Sequence, residues 1–115
     1  MGTLEGTLAI QPQDKAILSE CRDVLRRILP GVTIYLYGSG VRGEREPDSD
    51  LDLLILTERR LSREEEDRAS QAVCDIELAQ GAVISMLFYS REEWDAPLTR
   101  ATPFRNHVEA EAVPL

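Results

Sequence analysis

YGSGVRGEREPDSDLDLLIL, residues 37–56, decides the fold, because it combines two motifs that predict different architectures. Gly38, Gly40 and Gly43 spell G-x-G-x-x-G, the pattern of a dinucleotide-binding loop. Asp50 and Asp52 spell D-x-D at the start of an apolar run, a pattern that suits a divalent cation held together with phosphates. The two interpretations require different structures after the glycines.

The dinucleotide interpretation fails on spacing. It requires a full helix between the last glycine and the next strand, and an acidic residue about twenty positions further on. Only residues 44–49 separate Gly43 from Asp50, and Pro47 lies among them. So short a segment cannot form a crossover helix, so the G-x-G-x-x-G match is accidental.

The second interpretation uses the whole stretch. The β-branched and aromatic run VTIYLY (32–37) predicts a strand that ends at Gly38. Backbone N–H groups of Gly38 and Ser39 can then point at phosphate oxygens, helped by the start of a short helix. LDLLILT (51–57) predicts the next strand. This order of elements predicts a phosphate-binding turn between two strands.

The two aspartates are the candidate metal ligands. Asp50 and Asp52 are two residues apart, so on a strand their side chains face the same side. Two carboxylates beside a phosphate-binding turn suit Mg²⁺ or Mn²⁺. Ser49 and Asp50 also fit a simple turn that caps the strand, but that leaves Asp52 inside an apolar strand unexplained. Arg42 either neutralises phosphate charge or is an ordinary exposed arginine.

The rest of the chain predicts a single α/β (α+β) domain over residues 13–115, preceded by a loose tail over 1–12. The element order is α-β-β-α-β-α, a small mixed sheet with helices packed mainly on one face. Ser62 and Glu65 form a capping box that opens the long helix, and Gly81 fits its end. The remaining elements are predicted at 13–29 (helix), 82–90 (strand), 92–94 (short helix) and 102–112 (helix).

Composition narrows the classes of partner. The net charge of -8 and pI near 4.6 argue against broad nucleic-acid binding, which needs a basic surface. No apolar run approaches the length of a membrane span, and the first residues lack a signal-peptide pattern. Cys21 and Cys74 have no metal-ligand spacing. These observations predict a cytoplasmic protein with free thiols, with one disulfide between the two cysteines as the alternative.

The central motif identifies a family resemblance. G-S at Gly38 and Ser39, ten residues, then D-x-D within S-D-L-D-L resembles the minimal nucleotidyltransferase (MNT) family of the DNA polymerase β-like superfamily. The segment PFRNHVEAEAV (103–113) also resembles the end of such domains. The resemblance implies that ATP or another nucleoside triphosphate binds with the metal. It assigns nucleotide binding to Gly38, Ser39, Arg42 and Ser49, and metal binding and catalysis to Asp50 and Asp52.

One expected carboxylate is missing. Active members of the superfamily carry a third one on the strand after the long helix, but GAVISMLFYS (81–90) contains none. Ser85 is predicted at that position. Asp75 and Glu77 lie nearby in sequence, on the predicted helix. Without the third carboxylate, metal and nucleotide binding can persist while activation of the attacking hydroxyl is lost, so catalytic competence stays open.

The resemblance also implies a partner. MNT proteins often accompany a HEPN-domain toxin as its antitoxin, and some neutralise it by adenylylating a tyrosine. Three hypotheses remain: an active transferase, a binding module that acts by docking, and a subunit of a two-component transferase. A domain this small predicts a complex with a helical partner, or a homodimer in its absence, through apolar surface near Trp94 to Val108.

Overall fold

The computed structural model describes residues 10–43, 46 and 49–115, so most of the predicted tail lies outside the described residues. The predicted helices and strands occur in the predicted order, with one further short helix before the last helix and a short strand after it. They are α1 (Pro12–Ile28), β1 (Thr33–Tyr37), a 3-10 turn (Gly38–Gly40), β2 (Leu51–Thr57), α2 (Arg63–Gln80), β3 (Ile84–Ser90), α3 (Arg91–Asp95), α4 (Pro97–Arg100), α5 (Pro103–Glu111) and β4 (Val113–Pro114).

The four strands form one mixed sheet in the order β3-β2-β1-β4. β1 and β2 are antiparallel, and Tyr37 lies opposite Asp52. β2 and β3 are parallel because α2 carries the chain across between them, and Asp52 lies beside Ser85. β4 pairs antiparallel with β1. This arrangement confirms the predicted mixed α/β fold. It brings the last residue of β1 next to the first residues of β2 and β3.

The two long helices cover one face of the sheet. Alternation along β2 points Leu51, Leu53 and Ile55 to this face, where all three are fully buried. α1 supplies Leu18 and Leu25, both completely inaccessible to solvent. A two-residue alternation in the strand and a helical repeat in α1 therefore meet in one apolar core, as their sequence patterns predict.

The short C-terminal helices cover part of the other face. Trp94 and Val108 pack there against Leu54 and Leu56 of β2. Trp94 and Val108 are 4% and 2% exposed, so the apolar surface expected to stay open in this segment is largely used inside the chain. Leu98, 87% exposed, is the large apolar side chain that remains at the surface there.

Local signals set the helix ends. The Ser62 hydroxyl accepts a hydrogen bond from the Glu65 N–H, and the Glu65 carboxylate accepts one from the Ser62 N–H, which confirms the capping box. Gly81 ends α2 in the left-handed conformation. Thr102 caps α5. Among the described residues, none of the helices combines the length and apolar character needed to span a bilayer.

Candidate functional site

The glycine turn and the second aspartate are in direct contact. Gly38 has φ +82°, a conformation that favours glycine, and it opens the 3-10 turn immediately after β1. A Cβ atom at Gly38 would lie 2.8 Å from Oδ2 of Asp52. Glycine is therefore required here both for the backbone conformation and for the close approach of the carboxylate.

Asp50 and Asp52 lie on either side of the first residue of β2. Asp50 is exposed and Asp52 is half-buried. Asp52 points to the face that carries Leu54 and Leu56, since residues two apart on a strand share a face. Burial, together with the negative charge of Asp50, raises the pKa of Asp52 above its usual range. A cation bound between the two carboxylates would relieve that repulsion.

Ser85 lies where the sequence predicts it. It is the residue of β3 directly beside Asp52 in the parallel pair, and its neighbours Ile84 and Met86 pack into the core on the opposite face. The carboxylates of α2 lie on that opposite face, because α2 packs there through Ala69 and Val73. Glu77 accepts a hydrogen bond from the Ile84 N–H at 2.8 Å, which gives it a role at the start of β3.

Tyr37 is the neighbour of Asp52 on the other side. Its ring packs edge-on against Phe104, with the ring centroids 5.7 Å apart. Burial, then the charge of Asp52, then Tyr89, raise the pKa of the Tyr37 hydroxyl to about 12. Tyr37 therefore stays protonated beside the carboxylate, and its hydroxyl remains able to donate a hydrogen bond.

Of the other predicted nucleotide-binding residues, Ser39 lies inside the 3-10 turn, while Arg42 and Ser49 flank it differently. Arg42 follows the 3-10 turn, and its Nη1 donates to Oε2 of Glu111 at 2.7 Å. Ser49 precedes the first aspartate, and its hydroxyl donates to the carbonyl oxygen of Glu46 at 2.9 Å. Arg42 is thus held at the glycine turn, while the Ser49 contact stabilises the approach to β2.

Glu111, at the end of α5, is a site residue that the sequence analysis missed. Its Oε1 accepts a hydrogen bond from the Gly38 N–H at 2.8 Å, across 73 positions of sequence. The same carboxylate pairs with His107 one helical turn earlier, at 3.1 Å. The only signal for this residue is that it lies in the segment 103–113 that resembles the end of such domains, because its distant partner Gly38 is brought to it by the fold, in which β4 pairs with β1.

The oxygen donors at the site suit a hard divalent cation. Mg²⁺ commonly takes one or two protein carboxylates and completes its coordination with substrate phosphates and water. Asp50 and Asp52 supply two carboxylates beside the turn. Within the described part of the chain, no group of three His, Cys, Asp or Glu side chains is placed to hold a metal ion. A metal held by Asp50 and Asp52 could complete its coordination with oxygen atoms from a nucleotide or from water.

Comparisons with known proteins identify the family of the chain. The family described as nucleotidyltransferase domain matches residues 18–102. The probable protein adenylyltransferase MntA of Haemophilus influenzae is 32% identical over 71 residues, 62% of this chain and 60% of that protein. The chain thus matches less than two thirds of that relative's length. A crystal structure of the toxin-antitoxin MntA-HpeT matches with a TM-score of 0.57 and 19% identity, over 85% of this chain and 70% of that one, which supports the same fold. The chain belongs to the nucleotidyltransferase domain family, and its similarity to MntA agrees with the predicted resemblance to minimal nucleotidyltransferases.

Proposed function

We propose that this chain binds a magnesium nucleoside triphosphate, ATP first among the candidates, at the glycine turn. The observation that carries the proposal is the close approach of Asp52 to Gly38. A Cβ atom added at Gly38 would lie only 2.8 Å from the Asp52 carboxylate oxygen. Phosphates at the turn would therefore meet the carboxylate directly. Ser39 and Gly40 belong to the first turn of the 3-10 helix, so their N–H groups have no carbonyl partner within it. Such N–H groups suit phosphate oxygens.

The activity we propose is transfer of a nucleoside monophosphate to a hydroxyl of a partner protein. The hydroxyl oxygen forms a bond to the α-phosphorus, the bond from that phosphorus to the bridging oxygen breaks, and pyrophosphate leaves. A bound Mg²⁺ or Mn²⁺ supplies neutralisation of phosphate charge. Asp50 and Asp52 would hold the ion, while Arg42 offsets further negative charge at the edge of the turn.

A second candidate function follows from Ser85. The hydroxyl's proton needs an acceptor, and a serine side chain beside Asp52 is uncharged near neutral pH and is a poor base. This favours a domain that binds nucleotide but transfers it slowly or not at all. It would then act by docking, or as one subunit of a two-component transferase.

The partner we propose is a HEPN-type toxin, with this chain as its antitoxin in the cytoplasm. The similarity to a protein adenylyltransferase, and to a chain from a toxin-antitoxin crystal structure, supports this role. The protein encoded beside this chain's gene is the partner to test. Incubation of both proteins with Mg²⁺ and ATP, followed by intact mass measurement, distinguishes transfer, which adds one nucleotidyl group to the partner, from docking without modification.

The metal-nucleotide site is tested with Asp52→Asn, which removes a charged ligand but keeps the side-chain size. We expect calorimetric titration with ATP and Mg²⁺ to show affinity at least about tenfold weaker than wild type, the size of one lost charged interaction. The control is Asp75→Asn, an exposed carboxylate on α2 whose hydrogen-bond partner is Gln71 of the same helix. Identical titrations for wild type and Asp52→Asn would exclude the proposed site.

A further inference from the structure

Glu111 connects the last helix to the glycine turn through two different groups. One carboxylate oxygen accepts the Gly38 N–H at 2.8 Å, and the other accepts from Arg42 Nη1 at 2.7 Å. The Glu111 side chain is only 18% exposed, so water screens its bond to the Gly38 N–H weakly, whereas Arg42 is 46% exposed and its ion pair is more open to solvent. A single carboxylate therefore fixes the backbone at the start of the turn and the guanidinium at its end.

The backbone that carries Glu111 is itself anchored. Glu111 is the last residue of α5, and β4 begins two residues later at Val113. Val113 pairs with Leu36 of β1, and Leu36 lies two residues before Gly38. The strand that leads into the turn thus also holds the segment that bears the carboxylate. The backbone at Glu111 is therefore fixed by the pairing of β4 with β1.

We propose that Glu111 is a positioning residue that presets the glycine turn and Arg42 for a triphosphate, an inference that rests on the proposed nucleotide binding. By accepting the Gly38 N–H, it holds in place the residue that opens the turn at φ +82°, directly ahead of the Ser39 and Gly40 N–H groups. By pairing with Arg42, it holds the guanidinium and its N–H donors at the turn before any nucleotide arrives. Preorganisation of this kind raises affinity because less ordering is left to the binding step.

Glu111 could instead compete with the nucleotide, and its removal would then have the opposite effect on affinity. A carboxylate that bonds a backbone N–H and a guanidinium resembles a phosphate oxygen in its contacts, so it could occupy a place that the nucleotide needs. Removal of the carboxylate would then strengthen nucleotide binding. A positioning role requires that removal weakens it. The sign of the change in affinity decides between the two.

The experiment titrates Mg²⁺ and ATP into wild type, Glu111→Ala, Glu111→Gln and Glu109→Ala. Glu109 is the matched control, since it lies on the same helix and bonds the Trp94 indole instead of the turn. We expect Glu111→Ala to bind about tenfold more weakly, as for loss of one charge-assisted hydrogen bond. Glu111→Gln keeps an acceptor for the Gly38 N–H and loses only the ion pair, so its affinity should fall less. Glu109→Ala should bind as wild type does.

A second readout separates positioning from general stability. In the free protein, the Gly38 amide resonance should shift in Glu111→Ala and stay in place in Glu109→Ala, with thermal midpoints measured for both. Equal or tighter binding by Glu111→Ala overturns the inference; if that variant does not fold, equal or tighter binding by Glu111→Gln does so. Failure of the wild type itself to bind Mg²⁺ and ATP would instead overturn the proposed function.

Discussion

On one face of the sheet, β2 points Leu51, Leu53 and Ile55 beneath the two long helices, where they are completely buried. On the other face the same strand presents Asp52 ahead of Leu54 and Leu56, and this face is covered only in part by short helices. The face beneath the two long helices forms the main apolar core of the domain. The second is apolar along β2 but carries a half-buried carboxylate at the end near the glycine turn.

The difference shows how one strand serves two tasks. Alternation separates the side chains, so a charged residue at position 52 need not disturb the apolar side chains at 51 and 53. Partial burial of the Asp52 carboxylate is unfavourable, and burial together with the charge of Asp50 raises its pKa. This unfavourable free energy is confined to the end of β2 near the glycine turn. A cation or a hydrogen-bond donor beside Asp52 would offset both effects.

The largest predicted change in stability comes from a substitution on the face beneath the two long helices. Leu53→Ala should lower the free energy of unfolding by about 2–5 kcal/mol, because it leaves a cavity in a fully buried position. Chemical denaturation measures the change. The control is Leu87→Ala on the site face, where the side chain is already 38% exposed and the loss should stay below about 1 kcal/mol. Comparable losses in the two variants would contradict the contrast between the faces.

A smaller effect tests the corner of the site. Gly38→Ala places a methyl group 2.8 Å from Asp52 Oδ2 at φ +82°, so strain and contact together should cost about 1–3 kcal/mol and weaken binding of Mg²⁺ and ATP. Gly81→Ala is the matched control: it has φ +66° but no atom within 4 Å of the added Cβ. It should show strain of about 1–2 kcal/mol and normal nucleotide binding. Equal binding by the two variants would show that the Gly38 turn does not contact the nucleotide.

The smallest effect sharpens the role of Ser85. Ser85→Asp adds a carboxylate beside Asp52, so the metal-free protein should lose about 1 kcal/mol, roughly one pKa unit of repulsion. Mg²⁺ should then raise the melting temperature more than it does in the wild type, because the ion binds only the folded site. Ser85→Asn, similar in size and uncharged, is the control. A Mg²⁺ response no larger than that of Ser85→Asn would remove Ser85 from the site.

The sequence predicts the fold in regions where local patterns determine structure. The alternation in β2, the capping box at Ser62 and the Thr102-Pro103 start of α5 each depend on neighbouring residues, and each is confirmed. β4 was not predicted, because two residues ending in a proline have no detectable periodicity. Glu111 was missed for the related reason that its contact with Gly38 spans most of the chain. The assignments of Asp50, Asp52 and Ser85 follow from motif and alternation, and their chemical roles stay predictions.

The two edges of the sheet differ in what they offer to another polypeptide. At one edge, β4 is a two-residue strand in which Pro114 lacks an N–H, and such short, proline-bearing strands discourage further pairing. At the other edge, β3 is seven residues long and rich in apolar and aromatic side chains. Among the described residues, β3 is therefore the long edge from which main-chain pairing between molecules can grow. Charged substitutions along its exposed positions, such as Leu87, are the rational route to keep concentrated solutions free of aggregates.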